Sequence, residues 1–436
     1  MPLSRLVAAA LVPLALAGCS LFGEEEERLA GERLSVRQAL PDPAAGRVVE
    51  AGLPPVEARA DWTQTGGGPA HAGGHLAFDA SPSLAWSADA GTGDSDESAI
   101  TSAPVVADGR VFTLDAAAQV SAFDAASGDV LWRLELIPDE DADGEEGFGG
   151  GLAATAARVV VTTGFGEVVS IDADTGEIAW RRRLPAPFRA GPALASGVVV
   201  TVTRSGEAYA LDAGDGRVLW RQRGMAGETA WLGGANPLIA GRATVVPYPS
   251  GELVAYQLAS GQRGWSAVMT GGRRGLARSA ITDLTGDPAV VGNRVVVANQ
   301  SGRIAAFEGE TGRRAWTRQL GATRALWAAG NTVYLVSDTN VLTRIEAGSG
   351  RTLWERELPS WEDAEDREDP ILYSGPVLAG GQVWLTDSLG NLRAHDGVTG
   401  EGGPVLEMPA GAITGPVVAG GTLYVLTSEG ELLAYR

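Results

Sequence analysis

Cysteine, histidine and methionine are scarce in this chain of 436 residues, which contains one, three and four of them respectively. A single thiol excludes both a disulfide framework and a cysteine-rich metal site. Cationic residues are also few, with 34 Lys and Arg against 54 Asp and Glu, so the formal net charge is −20. An acidic surface repels phosphate backbones, which argues against binding to nucleic acid.

Glycine and proline, by contrast, are abundant, with 60 and 23 residues against an ordinary combined usage of about 12%. Hydrophobic residues make up 44% of the chain and charged residues 20%, which is the composition of a folded protein. The length exceeds that of one ordinary domain of about 100–200 residues. A turn-rich, apolar chain of this size predicts either several domains or one large all-β repeat architecture.

The N-terminus has the layout of a lipoprotein signal peptide over residues 1–18. Arg5 supplies a positive charge, and the apolar run Leu6–Ala17 is too short to span a bilayer comfortably. The run ends in Leu-Ala-Gly-Cys at Cys19, which resembles the bacterial lipobox. We therefore expect lipid attachment at Cys19, and Ser20 favours sorting to the outer membrane. The alternative is a chance cysteine in an ordinary signal peptide.

A tether follows the signal peptide over residues 19–60 and has little apolar sequence with which to build a core. It is acidic and rich in proline: Glu24, Glu25, Glu26, Glu27, Pro41, Pro43, Pro54 and Pro55. We predict that it links the lipidated Cys19 to a folded domain over residues 61–436.

That domain is built from an internal repeat in which an aspartate, a glycine and a tryptophan recur at fixed offsets. Clear copies occupy residues 122–132, 170–180 and 210–220. The spacing averages about 45 residues, which is typical of a four-stranded propeller blade. The end of the repeat is recognisable at eight positions, here called marks. Eight marks predict an all-β, eight-bladed β-propeller of four-stranded antiparallel blades. The marks are Trp86, Trp132, Trp180, Trp220, Trp265, Trp316 and Trp354, with Pro404 in place of an eighth tryptophan.

The repeat also predicts how neighbouring blades meet. In the Asp-x-x-Thr/Ser-Gly turn, the aspartate accepts backbone N–H bonds and glycine supplies a positive φ. The tryptophan that follows is expected to pack against the next blade. Residues 412–436 contain three strand-like runs, and we expect the strand around Trp86 to complete that last blade and so close the ring. The segment Trp62–Gly67 is expected to lie just outside this closure.

The Asp-x-x-Thr-Gly-x-x-x-Trp repeat resembles the tryptophan-docking motif of the pyrroloquinoline-quinone propeller superfamily. Together with the lipobox and eight marks, it is similar to the superfamily's non-enzymatic branch, the BamB family of outer-membrane assembly lipoproteins. The resemblance implies a periplasm-facing scaffold that binds the POTRA domains of a BamA-like insertase and other subunits of the assembly complex. Unfolded outer-membrane proteins would be its clients.

The same resemblance points to two partner-binding loops. In the first, Met225 stands where enterobacterial members present leucine. In the second, Asp283 matches one of the family's two aspartates, and Asp287 is the nearest candidate for the other. A basic group nearby, which includes Arg278 with Arg273 and Arg274, could complement an acidic partner. The alternative is that both loops are solvated connections between blades.

An enzymatic alternative within the superfamily is a quinone-dependent dehydrogenase. Such enzymes usually place a vicinal cysteine pair against the cofactor and bind Ca²⁺. With Cys19 assigned to lipid, no cysteine pair can form. We therefore predict a protein that is not an enzyme and has no cofactor, while a propeller scaffold of another envelope complex stays a second alternative.

Four further motifs favour structural roles. Asp139–Gly144 begins like a calcium loop, but Gly150 occupies the position of the essential glutamate. His71 and His75 are separated by glycines that oppose a Zn²⁺-binding helix, and Trp361–Asp369 is expected to be an acidic, solvated insertion. Arg181–Arg183 is expected at an exposed blade edge, with a partner surface as the alternative. No catalytic residue or metal site is predicted.

Overall fold

The structure is a computed structural model that describes residues 51–138, 149–188, 190–225, 234–269, 271, 283–322 and 324–436. The predicted signal peptide, most of the tether and Cys19 lie outside the described residues. So do Arg273, Arg274, Arg278 and residues 139–148. Within the described part of the chain, no helix has the length and apolar character needed to cross a membrane.

Strands dominate the described chain, which begins with three strands that join sheets formed later. These are β1 (Val56–Glu57), β2 (His75–Leu76) and β3 (Leu84–Asp89), with a short 3₁₀ turn at Thr65–Gly67. Sheet S1 then contains β4 (Val105–Ala107), β5 (Arg110–Leu114), β6 (Gln119–Asp124) and β7 (Val130–Glu135). Sheet S2 contains β8 (Gly150–Ala154), β9 (Arg158–Thr163), β10 (Glu167–Asp172) and β11 (Ile178–Arg183).

Three more sheets follow the same plan. Sheet S3 contains β12 (Ala193–Ala195), β13 (Val198–Val202), β14 (Glu207–Asp212) and β15 (Val218–Arg223). Sheet S4 contains β16 (Leu238–Ala240), β17 (Ala243–Pro247), β18 (Glu252–Gln257) and β19 (Arg263–Val268). Sheet S5 contains β20 (Leu284–Val291), β21 (Arg294–Asn299), β22 (Arg303–Glu308) and β23 (Arg314–Arg318).

The remaining sheets include the departures from this four-stranded arrangement. Sheet S6 contains β24 (Trp327–Ala329), β25 (Thr332–Val336), β26 (Val341–Glu346) and β27 (Thr352–Glu357), and a hairpin of β28 (Trp361–Asp363) and β29 (Glu368–Pro370) follows it. Sheet S7 contains β30 (Tyr373–Ala379), β31 (Gln382–Asp387), β32 (Asn391–Asp396) and β33 (Gly402–Glu407), preceded by β1 and β2. Sheet S8 joins β3 to β34 (Val417–Ala419), β35 (Thr422–Leu426) and β36 (Glu431–Tyr435).

The sheet count corrects one prediction. The described chain forms a propeller with seven four-stranded antiparallel blades, S1–S6 and S8, and not eight. S7 departs from the prediction because β1 and β2 pair in parallel beside β30 and extend this sheet to six strands. The pairing of β3 with β36 in S8 agrees with the predicted closure by an N-terminal strand.

The core lies between neighbouring sheets because one sheet alone cannot bury both of its faces. Between S1 and S2, for example, Phe112 and Leu152 pack in one buried cluster with Val161. The short inner strands are rich in small residues, as in Gly150–Ala154 and Ala193–Ala195, which lets consecutive inner strands approach one another around the centre. Contacts link β4 to β8, β12, β16, β20, β24, β30 and finally β34 in this order.

Each marked tryptophan packs over a glycine of the next sheet. A methyl group placed on Gly216, which has φ +70°, would come within 2.5 Å of the Trp180 ring. The same geometry joins Trp86 of S8 to Gly128 of S1, so the last sheet contacts the first. Five indoles also donate a hydrogen bond to a carbonyl of the following turn, namely those of Trp132, Trp180, Trp220, Trp265 and Trp316.

The turn that receives each tryptophan is built by its aspartate. Asp124 Oδ1 accepts hydrogen bonds from the backbone N of Ala126 and of Ser127, each at 2.9 Å. The backbone N of Gly128 then bonds to the Asp124 carbonyl oxygen at 2.9 Å. Glycine closes this turn at φ +81°, a conformation that side chains with a Cβ rarely adopt.

Residues 59–76 form a segment, here called the plug, which includes Trp62–Gly67 and lies outside the β3–β36 closure. The plug crosses the centre of the ring and meets every sheet in turn. Its partners from S8 through S1 to S7 are Gly420, Val106, Ala154, Leu194, Ile239, Pro288, Ala328 and Gly380. Hydrogen bonds of 2.7–2.9 Å make these contacts, two with Val106 and one with each other partner.

Candidate functional site

The two ends of the ring differ in what they present. Each inner strand starts at the connection from the preceding sheet and ends in a tight turn, so the connections between sheets share one face, here called the loop face. The plug contacts the opposite ends of the inner strands, as Gly74 does when its N donates to the Ala328 carbonyl at 2.8 Å. A central cavity lies between the loop face and the plug.

Met225 lies on the loop face directly after β15. Its side chain is 49% exposed, and its backbone N donates to Glu252 Oε2 of the next sheet at 3.0 Å. The backbone of Met225 is thus held in place while its flexible thioether side chain is exposed. Such a side chain suits an apolar contact with a partner protein. The structure thus places this predicted residue on an accessible surface.

The two predicted aspartates lie inside the molecule. Asp283 is fully buried just before β20. Asp287 lies within β20 and lines the central cavity, where its Oδ1 accepts hydrogen bonds from the Asn236 backbone N at 2.7 Å and side-chain Nδ2 at 2.8 Å. Neither carboxylate reaches the outer surface together with Met225, and the Asp287 hydrogen bonds hold β20 to the connection that precedes S4.

Asn236 is the polar centre of this region, and sequence reasoning missed it. Besides bonding Asp287, its Nδ2 donates to Thr65 Oγ1 of the plug at 3.2 Å. Its Oδ1 accepts from the backbone N of Gly191 at 2.5 Å. One amide therefore connects the start of S3, the plug and S5, and it joins the two connections that the sequence singles out.

The cavity has a volume of ≈ 120 Å³ and is lined by residues next to the starts of the inner strands of all eight sheets. The plug contributes Trp62, Thr65 and Gly66 to the lining. Trp62 stacks on Trp327 with ring centroids 5.3 Å apart and an interplanar angle of 11°. Arg324, in the connection that leads to β24, supplies a cationic side chain to the same wall.

Burial sets the charges around the cavity. It raises the pKa of Asp287, a shift that the neighbouring His71, the Asn236 hydrogen bonds and Arg324 partly oppose. Burial lowers the pKa of His71 despite the opposing charge of Asp287 and the hydrogen bond to Pro288. It also lowers the pKa of Arg324, which Asp287 partly counteracts. These groups form one electrostatically linked set.

The two plug histidines are held by backbone groups. His71 Nδ1 donates to the Pro288 carbonyl at 2.9 Å. His75 Nδ1 donates to the Pro54 carbonyl at 2.9 Å, and its Nε2 accepts from the backbone N of Gly381, also at 2.9 Å. Among the residues that the structure describes, no group of three or more His, Cys, Asp or Glu side chains is placed to hold a metal ion.

The remaining sequence motifs lie at the periphery. Arg181–Arg183 belongs to β11, the outer strand of S2, and Arg182 Nε donates to the Gly216 carbonyl of S3 at 3.2 Å. Trp361–Asp369 forms the exposed hairpin of β28 and β29. Neither motif contributes to the lining of the central cavity.

The family model described as outer membrane protein assembly factor BamB matches residues 58–144 and 116–356. This chain belongs to the BamB family. The match covers most of the repeat region, so the predicted family resemblance is confirmed. BamB proteins are named as assembly factors, which agrees with the prediction that the chain is not an enzyme.

Individual BamB proteins align with part of the chain. The protein from Alteromonas naphthalenivorans is 30% identical over 261 residues, which is 57% of this chain and 62% of the relative. Those from Xanthomonas campestris and Escherichia coli K12 are 35% and 31% identical, over 54% and 57% of this chain. They are covered over 58% and 64% of their own lengths, so the chain spans about three-fifths of these curated relatives.

Solved structures share the fold. BamB from Moraxella catarrhalis superposes with a TM-score of 0.69 at 19% identity, over 82% of this chain and all of that one. Quinohemoprotein alcohol dehydrogenase from Comamonas testosteroni reaches 0.66 at 15% identity, over 86% of this chain and 80% of the dehydrogenase. At such identities the likeness concerns the fold alone.

Proposed function

We propose that this chain is a non-enzymatic scaffold of the outer-membrane β-barrel assembly machinery and that it binds the POTRA domains of a BamA-like insertase. The family match over residues 58–356 carries the proposal. Other subunits of the assembly complex and unfolded outer-membrane proteins are its further partners. The mechanism is binding by a rigid ring, which holds partners without making or breaking covalent bonds.

The loop face is the proposed contact surface. Met225 is exposed there and offers an apolar anchor of the kind that dominates binding energy in protein interfaces. Arg278 belongs to the adjoining connection by sequence and adds a positive charge for an acidic partner. Asp283 and Asp287 act indirectly, since the bonds from Asn236 to Asp287 help to fix the connections that carry the contact residues.

The N-terminal segment is the proposed anchor. Lipid on Cys19 would hold the protein in the outer membrane, with the tether of residues 19–60 leading to the propeller on the periplasmic side. Two or more acyl chains are needed for stable anchoring, which a lipoprotein N-terminus supplies.

Co-purification tests this function. Tagged wild-type protein is captured from detergent-solubilised envelopes, and bound proteins are identified by mass spectrometry. We expect a BamA-like insertase, and we expect Met225→Asp to lower its recovery by about tenfold, because burying a charge in an apolar contact weakens binding by 1–2 kcal/mol or more.

The matched control is Val405→Asp, which changes an exposed apolar side chain (47% exposed) on β33, the outer strand of S7. This variant should recover the insertase as well as the wild type does. Capture of a different envelope complex, or equal loss of the insertase with both variants, would contradict the proposal.

A further inference from the structure

Arg324 is a cation at the centre of the ring that has no hydrogen-bond or ion-pair partner among the described residues. Its side chain is half-buried and lines the central cavity. It forms no hydrogen bond or ion pair with any residue that the structure describes, and Asp287 acts on it only at longer range. Holding an unpaired charge away from water is costly, so a ligand that pairs with this guanidinium would be favoured.

Asp287 supplies the complementary group on the same cavity wall. Its Oδ1 is occupied by the two hydrogen bonds from Asn236. Its Oδ2 accepts no hydrogen bond from the described residues, although the side chain lines the cavity and keeps part of its surface open. The cavity therefore presents one free cationic donor and one free anionic acceptor that do not satisfy each other.

The pair of opposite groups restricts the chemistry of the ligand. A guanidinium binds a carboxylate through two parallel N–H···O bonds. A simple carboxylate would also meet repulsion from Asp287. A molecule with a carboxylate and an ammonium group satisfies both residues, since the ammonium can donate to the free Oδ2 of Asp287.

We propose that the central cavity binds a small zwitterion of the α-amino-acid class, with its carboxylate on Arg324 and its ammonium on Asp287. The volume of ≈ 120 Å³ limits the ligand to about the size of benzene or less, or roughly six non-hydrogen atoms. Glycine and alanine fit this limit. The site shares Asp287 with the proposed positioning of the connections on the loop face, whereas Met225 lies outside the cavity lining.

Isothermal titration calorimetry of the purified full-length protein with glycine and alanine tests this site, supported by thermal unfolding at rising ligand concentration, where a bound ligand raises the melting temperature. We expect both amino acids to bind and acetate, methylammonium and N-acetylglycine to bind at least tenfold more weakly. Leucine should bind more weakly than alanine. Equal binding of acetate and glycine, or no binding of glycine at millimolar concentration, would overturn the proposal.

Two variants and a control connect binding to the residues. Arg324→Gln and Asp287→Asn should each weaken glycine binding at least tenfold. Arg324→Gln should leave the melting temperature of the ligand-free protein unchanged or higher, because it removes an unpaired charge from the interior. Arg217→Gln, an arginine whose side chain is 67% exposed, should bind glycine as the wild type does. Unchanged affinity in Arg324→Gln, or a lower melting temperature together with lost binding, would count against a ligand-binding role.

Discussion

At the scale of single residues, the contact between a tryptophan and the glycine of the next turn is the unit that repeats around the ring. Seven such pairs join consecutive sheets, from Trp86 on Gly128 to Trp354 on Gly400. Two of the indoles, those of Trp86 and Trp354, make no hydrogen bond to the described residues. The corresponding carbonyls of Ala125 and Gly397 instead accept from Tyr424 and Tyr334, respectively. Packing against glycine is therefore the constant feature, and the indole hydrogen bond is optional.

This contact predicts the result of adding one methyl group. Gly216→Ala puts a Cβ at φ +70° and within 2.5 Å of Trp180, so it should lower the free energy of unfolding by about 2–5 kcal/mol. Gly241→Ala is the matched control, since it has φ +61° and no atom within 4 Å and should cost only about 1–2 kcal/mol. Urea unfolding measures both values. Equal losses of unfolding free energy in the two variants would show that backbone strain, and not the contact with Trp180, sets the cost.

His71 predicts a pH dependence of stability. Burial lowers its pKa below the ordinary 6.5, so the unfolded chain binds a proton more readily than the folded chain does. The contribution of neutral His71 to folding stability is then complete above pH 6.5. This contribution is lost as the pH falls towards the lowered pKa of His71 in the folded state. Asp287, whose pKa is raised by burial, contributes with the opposite sign, because its protonation favours the folded state.

The variant His71→Asn isolates this effect, because asparagine tolerates the positive φ of 47° at this position. Urea unfolding of both proteins from pH 7.5 to 5 should show a smaller loss of stability in His71→Asn than in the wild type. If the free energy of unfolding falls equally with pH in the two proteins, His71 is excluded as the source of the pH dependence.

At the scale of elements, the plug is the main departure from what the sequence indicates. The blades were predictable because Asp-x-x-Thr/Ser-Gly encodes a local turn and the tryptophan follows at a fixed distance. The plug was not, because its contacts are spread over all the sheets, and partners such as Gln64 and Leu194 are 130 residues apart. No periodic pattern marks such contacts, and the same holds for Arg324, a single arginine in a short connection.

The plug should contribute strongly to stability. Trp62 is 4% exposed and stacks on Trp327, so Trp62→Ala should lower the free energy of unfolding by about 3–5 kcal/mol. Trp361→Ala removes a tryptophan that is 37% exposed in the outer hairpin and should change it by about 0.5 kcal/mol. Unfolding of the wild type and both variants in denaturant measures the two changes in unfolding free energy. A loss for Trp62→Ala no larger than that for Trp361→Ala would contradict the role of the plug.

At the scale of the whole molecule, the described residues form a closed ring in which several contacts join the last sheet to the first. Strand β3 pairs with β36 inside S8, and Arg436 Nη2 reaches the Ala125 carbonyl of S1 at 2.8 Å. The sequence predicted the first connection because the last repeat lacks one strand and the stretch around Trp86 lacks its partners. The six-stranded form of S7 was not predictable, since β1 and β2 have two residues each and carry no strand pattern of their own.

The loop face and the outer strands are among the surfaces that a closed ring with a plugged centre leaves available to other proteins. This arrangement suits a scaffold, because the connections between sheets can carry contact residues while the ring itself stays rigid. Met225 on the loop face and Val405 on an outer strand are both exposed and apolar, yet only the first lies on the surface assigned to the insertase.

Site-specific photo-crosslinking in living cells tests this assignment most directly. A photoreactive amino acid is placed at position 225 or at position 405, and the crosslinked products are identified by mass spectrometry. Position 225 should crosslink to the periplasmic domains of a BamA-like insertase, and position 405 should not. Crosslinks to the insertase from position 405 alone, or from neither position, would contradict the account.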